Sequence, residues 1–170
     1  MDNWYVVQVR TGREEAILQL VKKIVDRTVL IDCFVPYCER LKRYRGEWHK
    51  EQHILFPGYI FLVTGQVEEL FLQLKKIPEF VKILRNGMEF IPVKEEEKGI
   101  LKKMGGESHL SEISKGVIIG DKVAITSGPL AKIKGDIIYI DRHKRMAIMR
   151  IEMFDRQLML KMGLEIVYKE

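Results

Sequence analysis

The chain has 170 residues, 46% hydrophobic and 31% charged, and its 29 basic and 24 acidic side chains leave a net charge of +5. Such a composition excludes a disordered or low-complexity chain, and the length suits one domain or two small ones. No apolar run nears the roughly 20 residues that span a bilayer. Met1-Asp2-Asn3 does not open a secretory signal, and Cys33 and Cys38 make no disulfide framework, so the expected location is cytoplasmic, away from membranes.

Asn3 to Arg10 is strand-like, because Trp4, Tyr5, Val6, Val7 and Val9 favour a pleated, half-buried surface. Thr11 with Glu14 three residues on has capping-box spacing, and Ala16, Ile17, Leu20, Val21, Ile24 and Val25 recur at helical intervals, which predicts a helix over Arg13 to Asp26. Cys33 to Tyr44 and His53 to Thr64 read as two further strands turned at Arg45-Gly46. A second helix covers Val67 to Lys76 and is closed by Pro78. Phe80 to Leu84 reads as a fourth strand before a turn at Asn86-Gly87, and Lys94 to Met104 as a charged helix. The order β-α-β-β-α-β is that of the ferredoxin-like split sheet.

Gly105 to Lys115 is rich in Gly, Ser and Glu, the composition of a flexible linker. Short strands are then expected at Lys122–Thr126, Asp136–Ile140, Met146–Glu152, Gln157–Met162 and Glu165–Tyr168, enough for a small five-stranded barrel. Gly128 and Gly135 suit positive φ or a close backbone approach. The class is therefore α+β: a ferredoxin-like domain at 1–104, a linker at 105–116 and a barrel at 117–170. Charge is uneven. Residues 1–98 hold 16 basic and 15 acidic side chains, and residues 116–170 hold 10 and 7.

Trp4-Tyr5-Val6-Val7, Gly12 and Glu14, Phe34-Val35-Pro36, and Phe56-Pro57-Gly58-Tyr59-Ile60-Phe61 together resemble the N-terminal (NGN) domain of the NusG family of transcription elongation factors. The block from Gly120 to Asp141 resembles the KOW motif that opens the SH3-like barrel of the same family. The closing Gly163-Leu164-Glu165-Ile166-Val167 and the basic barrel resemble a specialised paralog of the LoaP antiterminator type. The resemblance implies a non-enzymatic, monomeric factor without cofactor that rides on RNA polymerase.

On the third strand Tyr59, Phe61 and Val63 alternate with Ile60 and Leu62, so both faces are apolar and the one away from the helices is expected to expose an apolar patch. The resemblance implies that this face, here Tyr59, Phe61, Val63 and Phe56, docks on the clamp helices of the polymerase. The alternative is that residues 94–104 fold back over it. Arg40 to Lys50 interleaves five cations with Tyr44 and Trp48, a pattern that suits phosphates and unstacked bases. By resemblance the hairpin lies near the non-template DNA strand, with Lys42, Arg43, Arg45 and Trp48 as contacts. The alternative is a solvated edge.

In the barrel Lys122, Lys132, Lys134, Arg142, His143, Lys144, Arg145 and Arg156 are candidates for holding nascent RNA, against the reading of an ordinary charged turn. Phe154-Asp155-Arg156 stands where general NusG proteins carry Phe-Gly-Arg for ribosomal protein S10 or the termination factor Rho, and Asp155 departs from that pattern. A ribosome-associated KOW protein is the reading from another class. Cys33, Cys38, His49 and His53 approach zinc-finger spacing, but Cys33 and Cys38 lie five apart in an extended segment and face opposite sides, so no metal is expected. No catalytic constellation or phosphate-cradling Gly-rich loop is present, so no enzyme is expected.

Overall fold

The structure is a computed structural model that describes residues 3–80 and 90–169. In chain order its elements are β1 (Asn3–Gln8), α1 (Glu14–Ile24), β2 (Leu30–Phe34), β3 (Tyr37–Tyr44), β4 (Glu47–Ile54), β5 (Tyr59–Thr64), α2 (Val67–Leu74) and β6 (Ile91–Pro92). There follow α3 (Glu95–Gly105), a 3-10 turn (Gly106–Ser108), β7 (Leu110–Ser111), β8 (Ser114–Ile119), β9 (Lys122–Ser127), α4 (Pro129–Lys132), β10 (Asp136–Asp141), β11 (Met146–Met153) and β12 (Arg156–Lys169). Two compact units result, Met1–Val35 with Phe56–Lys94, and Pro36–Leu55 with Glu95–Glu170.

The first unit holds an antiparallel sheet in the order β2-β5-β1-β6, the ferredoxin-like arrangement, with α1 packed against β2, β5 and α2. Ile17, Leu18 and Val21 form the buried stripe of α1, and every residue of β5 is buried. The expected capping box does not close. Glu14, itself buried, instead accepts the N–H of Gly12 and, at 3.3 Å, that of Gly58, which joins the helix start to the turn before β5.

Each of the two long strands expected over Cys33–Tyr44 and His53–Thr64 is two strands. Val35-Pro36 parts β2 from β3, and the Leu55–Gly58 bend, with Gly58 at φ 87°, parts β4 from β5. Proline removes a ladder donor and a positive-φ glycine bends the chain, so the sheet ends at both points. The outer halves pair as the β3–β4 hairpin and belong to the second unit. Phe80, expected to begin a strand, is helical together with residues 78 and 79, so Pro78 does not close the helical region. The rest of that strand and the Asn86-Gly87 turn lie outside the described residues. The fourth strand of the sheet is β6, paired with Tyr5 and Val6.

The second unit has a five-stranded sheet, β10-β11-β12-β8-β9, and a three-stranded one, β4-β3-β7. The span expected as a flexible linker carries the 3-10 turn, β7 paired with β3, and the start of β8. Its glycine marks close packing, since a Cβ on Gly105 would stand 2.7 Å from the backbone nitrogen of Leu110. The two last expected strands are one, β12, and the missing fifth is β8, which runs parallel to it. Gly128 has φ 92° and Gly135 lies tight against Arg150, as the turn chemistry predicts. β11 is a strand although Met146, Ala147 and Met149 are good helix formers. Among the described residues no helix is long and apolar enough to cross a membrane.

Candidate nucleic-acid interface

In the second unit the β3–β4 hairpin turns at Arg45 and Gly46, both at positive φ, the geometry of a tight two-residue hairpin. That turn fixes the register that sets Arg43 opposite Trp48 and Lys42 opposite His49. Tyr44 and His49 stack with ring centroids 3.7 Å apart. The β10–β11 turn is closed by the Lys144 N–H donating to Asp141 Oδ1 at 2.9 Å, with Arg145 at φ 51°. Arg145 extends its guanidinium over the Trp48 ring, 4.1 Å from the centroid, and its Nη1 lies 3.4 Å from Glu165 Oε1. A cation over an indole face is an attractive contact, and it pins the turn to the hairpin.

Between them lies an open cavity of about 430 Å³, lined by Arg40, Lys42, Arg43, Trp48, His143 and Lys144 among others. Among the described residues Glu51 is its one carboxylate, 3.2 Å from His53 Nε2, and Arg40 Nε is buried without a hydrogen-bond partner.

The structure thus joins two groups of candidates that stand about a hundred positions apart in sequence. It separates others. Lys132 and Lys134 precede β10 while Arg142 follows it, so the strand's six residues stand between them, a span on the order of 20 Å. Lys122 opens β9 and Arg156 opens β12. Lys122, Lys132, Lys134, Arg142, His143, Lys144 and Arg156 are exposed; Arg145 is half-buried.

The expected bare aromatic patch is not found. Tyr59 is 7% exposed, Phe61 0%, Val63 6% and Phe56 1%. Phe61 is stacked on Phe34 at 5.2 Å and tilted against Phe56 at 5.8 Å, and Trp4 stands edge-on to Phe34 at 5.4 Å. Alternation along β5 places Tyr59, Phe61 and Val63 on one face, where Phe61 packs against Phe34 and Phe56 as core.

A family model described as "Transcription termination factor nusG" matches residues 2–102. The chain belongs to the NusG family. Its relatives include the "Transcription termination/antitermination protein NusG" of Rickettsia prowazekii, 22% identical over 98% of this chain and 89% of the relative. That of Halalkalibacterium halodurans is 25% identical over 91% of each. A solved structure, "Domain interaction in Thermotoga maritima NusG", is similar in fold, with a TM-score of 0.60 and 23% identity over 96% of this chain and 94% of that one. The first unit carries the NGN sheet and the second the KOW barrel of a NusG-type transcription factor.

Within this NusG framework the loop at Phe154-Asp155 is a two-residue turn with both residues at φ 57°. Glycine is the usual residue at such a φ; here the bulky Phe154 occupies one, with its ring 1% exposed. Its N–H donates to the buried carboxylate of Glu97 at 2.5 Å, on the charged helix α3.

Cys33 and Cys38 stand in different sheets, β2 and β3, and Cys38 donates to the Lys161 carbonyl at 3.3 Å. Burial pushes each thiol up from 9.0 to about 11. The raised value favours the neutral thiol of the folded chain, so this contribution to stability is complete below pH 9 and is lost as pH rises toward about 11. Iodoacetamide at pH 8 is accordingly expected to leave both cysteines unmodified in the native protein and to modify both in urea, read by mass spectrometry; rapid native labelling would show that the thiols are not shielded.

Proposed function

We propose that this chain is a specialised, non-enzymatic NusG-type elongation factor of the antitermination kind, acting in the cytoplasm as a monomer. In this reading the first unit, Met1–Val35 with Phe56–Lys94, is the polymerase-binding part, and the second, Pro36–Leu55 with Glu95–Glu170, is the RNA-binding part. Processive suppression of termination follows if one molecule holds polymerase and nascent RNA together, since tethering makes the second contact intramolecular.

The observation that carries the RNA reading is the β10–β11 turn, where Arg142, His143 and Lys144 project exposed from the more basic part of the chain. Cations presented on a rigid hairpin suit phosphates. The reading of a general factor bridging to S10 or Rho is disfavoured by the burial of the Phe154 ring in the loop that would carry that contact. For the polymerase contact, the burial of Phe56, Tyr59, Phe61 and Val63 requires their face to open before those side chains touch a partner.

The test is the full chain carrying Arg142→Glu and Lys144→Glu, titrated into a fluorescent mixed-sequence RNA at several salt concentrations. Affinity is expected to fall at least tenfold, with the salt slope shallower by about 0.7 for each phosphate contact removed. An unchanged affinity and slope would remove the turn from the RNA site. Co-purification of the wild-type chain with core RNA polymerase, and not with ribosomes, separates this reading from that of a ribosome-associated KOW protein.

A further inference from the structure

We propose that the RNA site of this protein is composite: one single-stranded RNA segment lies in the cavity between the β3–β4 hairpin and the β10–β11 turn, gripped from both sides. This deepens the reading of the barrel as an RNA binder and rests on it. It reassigns Lys42, Arg43 and Trp48 from a DNA-facing hairpin to the same strand that Lys144 holds.

Four observations carry it. The hairpin and the turn belong to one compact unit, and Arg145 over Trp48 at 4.1 Å locks them together, so the walls of the cavity are preorganised. The walls carry Arg40, Lys42 and Arg43 on one side and Lys144 on the other, a spacing of cations that follows a phosphodiester backbone better than a single charge does. Arg40 lines the cavity, and its Nε has no hydrogen-bond partner among the described residues, so this side chain has donor capacity to spare. The stacked Tyr44 and His49 at the hairpin end, with Tyr44 48% exposed, offer a flat face for an unpaired base.

Size and chemistry choose the ligand. A cavity of about 430 Å³ is of the size of a nucleotide or two of a single strand. Glu51 is out of place against phosphate, but a carboxylate acceptor within a cationic cavity suits a ribose 2′-hydroxyl, the group that RNA has and DNA lacks. It also repels an acidic peptide.

The experiment is fluorescence anisotropy with the full chain and a labelled ten-nucleotide mixed-sequence RNA, the matching DNA, and a ten-residue polyglutamate competitor. The variants are Lys42→Glu with Arg43→Glu, Lys144→Glu, all three together, and Glu51→Ala, each checked by circular dichroism and melting temperature for an intact fold. Expected are one RNA per chain, a loss of at least tenfold for the hairpin pair and again for Lys144→Glu, further loss in the triple variant, and a preference for RNA over DNA that shrinks in Glu51→Ala. Hairpin variants that bind as wild type while Lys144→Glu does not would overturn the composite site and leave the barrel as RNA binder. If Lys144→Glu and the Arg142/Lys144 pair also bind as wild type, the RNA reading itself falls. Equal affinity for DNA, or displacement of RNA by polyglutamate, overturns the assignment of the ligand.

Discussion

Replacing Phe61 with alanine is expected to destabilise the N-terminal unit by about 3–5 kcal/mol, the range for removing a fully buried aromatic ring. The ring is 0% exposed and fills the centre of a face shared with Phe34 and Phe56. The strand pairing sets Val6 directly opposite it on β1, also 0% exposed, so little slack remains for collapse around the cavity. Each unit contains one tryptophan, Trp4 in the first and Trp48 in the second. In a Trp48→Phe background the Trp4 fluorescence, next to Phe34, therefore reports urea unfolding of the first unit alone. A loss below about 1 kcal/mol would mean that the face repacks easily and that the ring is not core. A pull-down with this variant measures loss of fold rather than loss of a docking contact.

Replacing Gly128 with valine is expected to destabilise the barrel by on the order of 3 kcal/mol or more. The conformation at φ 92° and ψ −177° is one that essentially only glycine adopts, and it costs a residue with a side chain about 1–3 kcal/mol. A Cβ there would also stand 2.5 Å from Ser114 Cα and 2.7 Å from its Oγ. Ser114 cannot retreat freely, because it is fully buried at the start of β8 and its Oγ accepts the Leu130 N–H at 3.0 Å. Forcing extra atoms against such backbone adds about 1–3 kcal/mol. Trp48 fluorescence in a Trp4→Phe background reports it, and an unchanged midpoint would show that the 128–130 turn is not tied to β8.

The parts legible in the sequence were those governed by local spacing. The 3.6-residue recurrence of Ile17, Val21 and their neighbours locates α1, Arg45-Gly46 is the hairpin turn, and Gly128 stands where only a glycine fits. The failures have long-range causes. Gly105 and Gly106 read as flexibility, yet Gly105 is small because Leu110 packs on it. The strand β8 begins inside the span read as linker; its parallel pairing with β12, about fifty residues away, has no local signature, while its hairpin with β9 about Gly120-Asp121 does. The aromatic face was located correctly on β5 but judged bare, since alternation shows which side a ring takes and not what meets it.

The site was half legible in the same sense. The sequence singles out both cation clusters and Trp48 as nucleic-acid candidates, each alone. That Arg145 reaches Trp48 is a tertiary fact, and no periodicity connects the two. Glu51 and the unpartnered Arg40 Nε gain meaning only once the cavity exists.

The most direct measurement is crosslinking on a transcribing RNA polymerase, with 4-thiouridine in the nascent transcript and the attachment sites mapped by mass spectrometry. The account predicts adducts on both the 40–53 hairpin and the 142–146 turn of the same molecule, weakened together by Lys144→Glu. Adducts confined to one of these segments would contradict a composite site, and a transcript that crosslinks to neither would contradict RNA binding by this chain altogether.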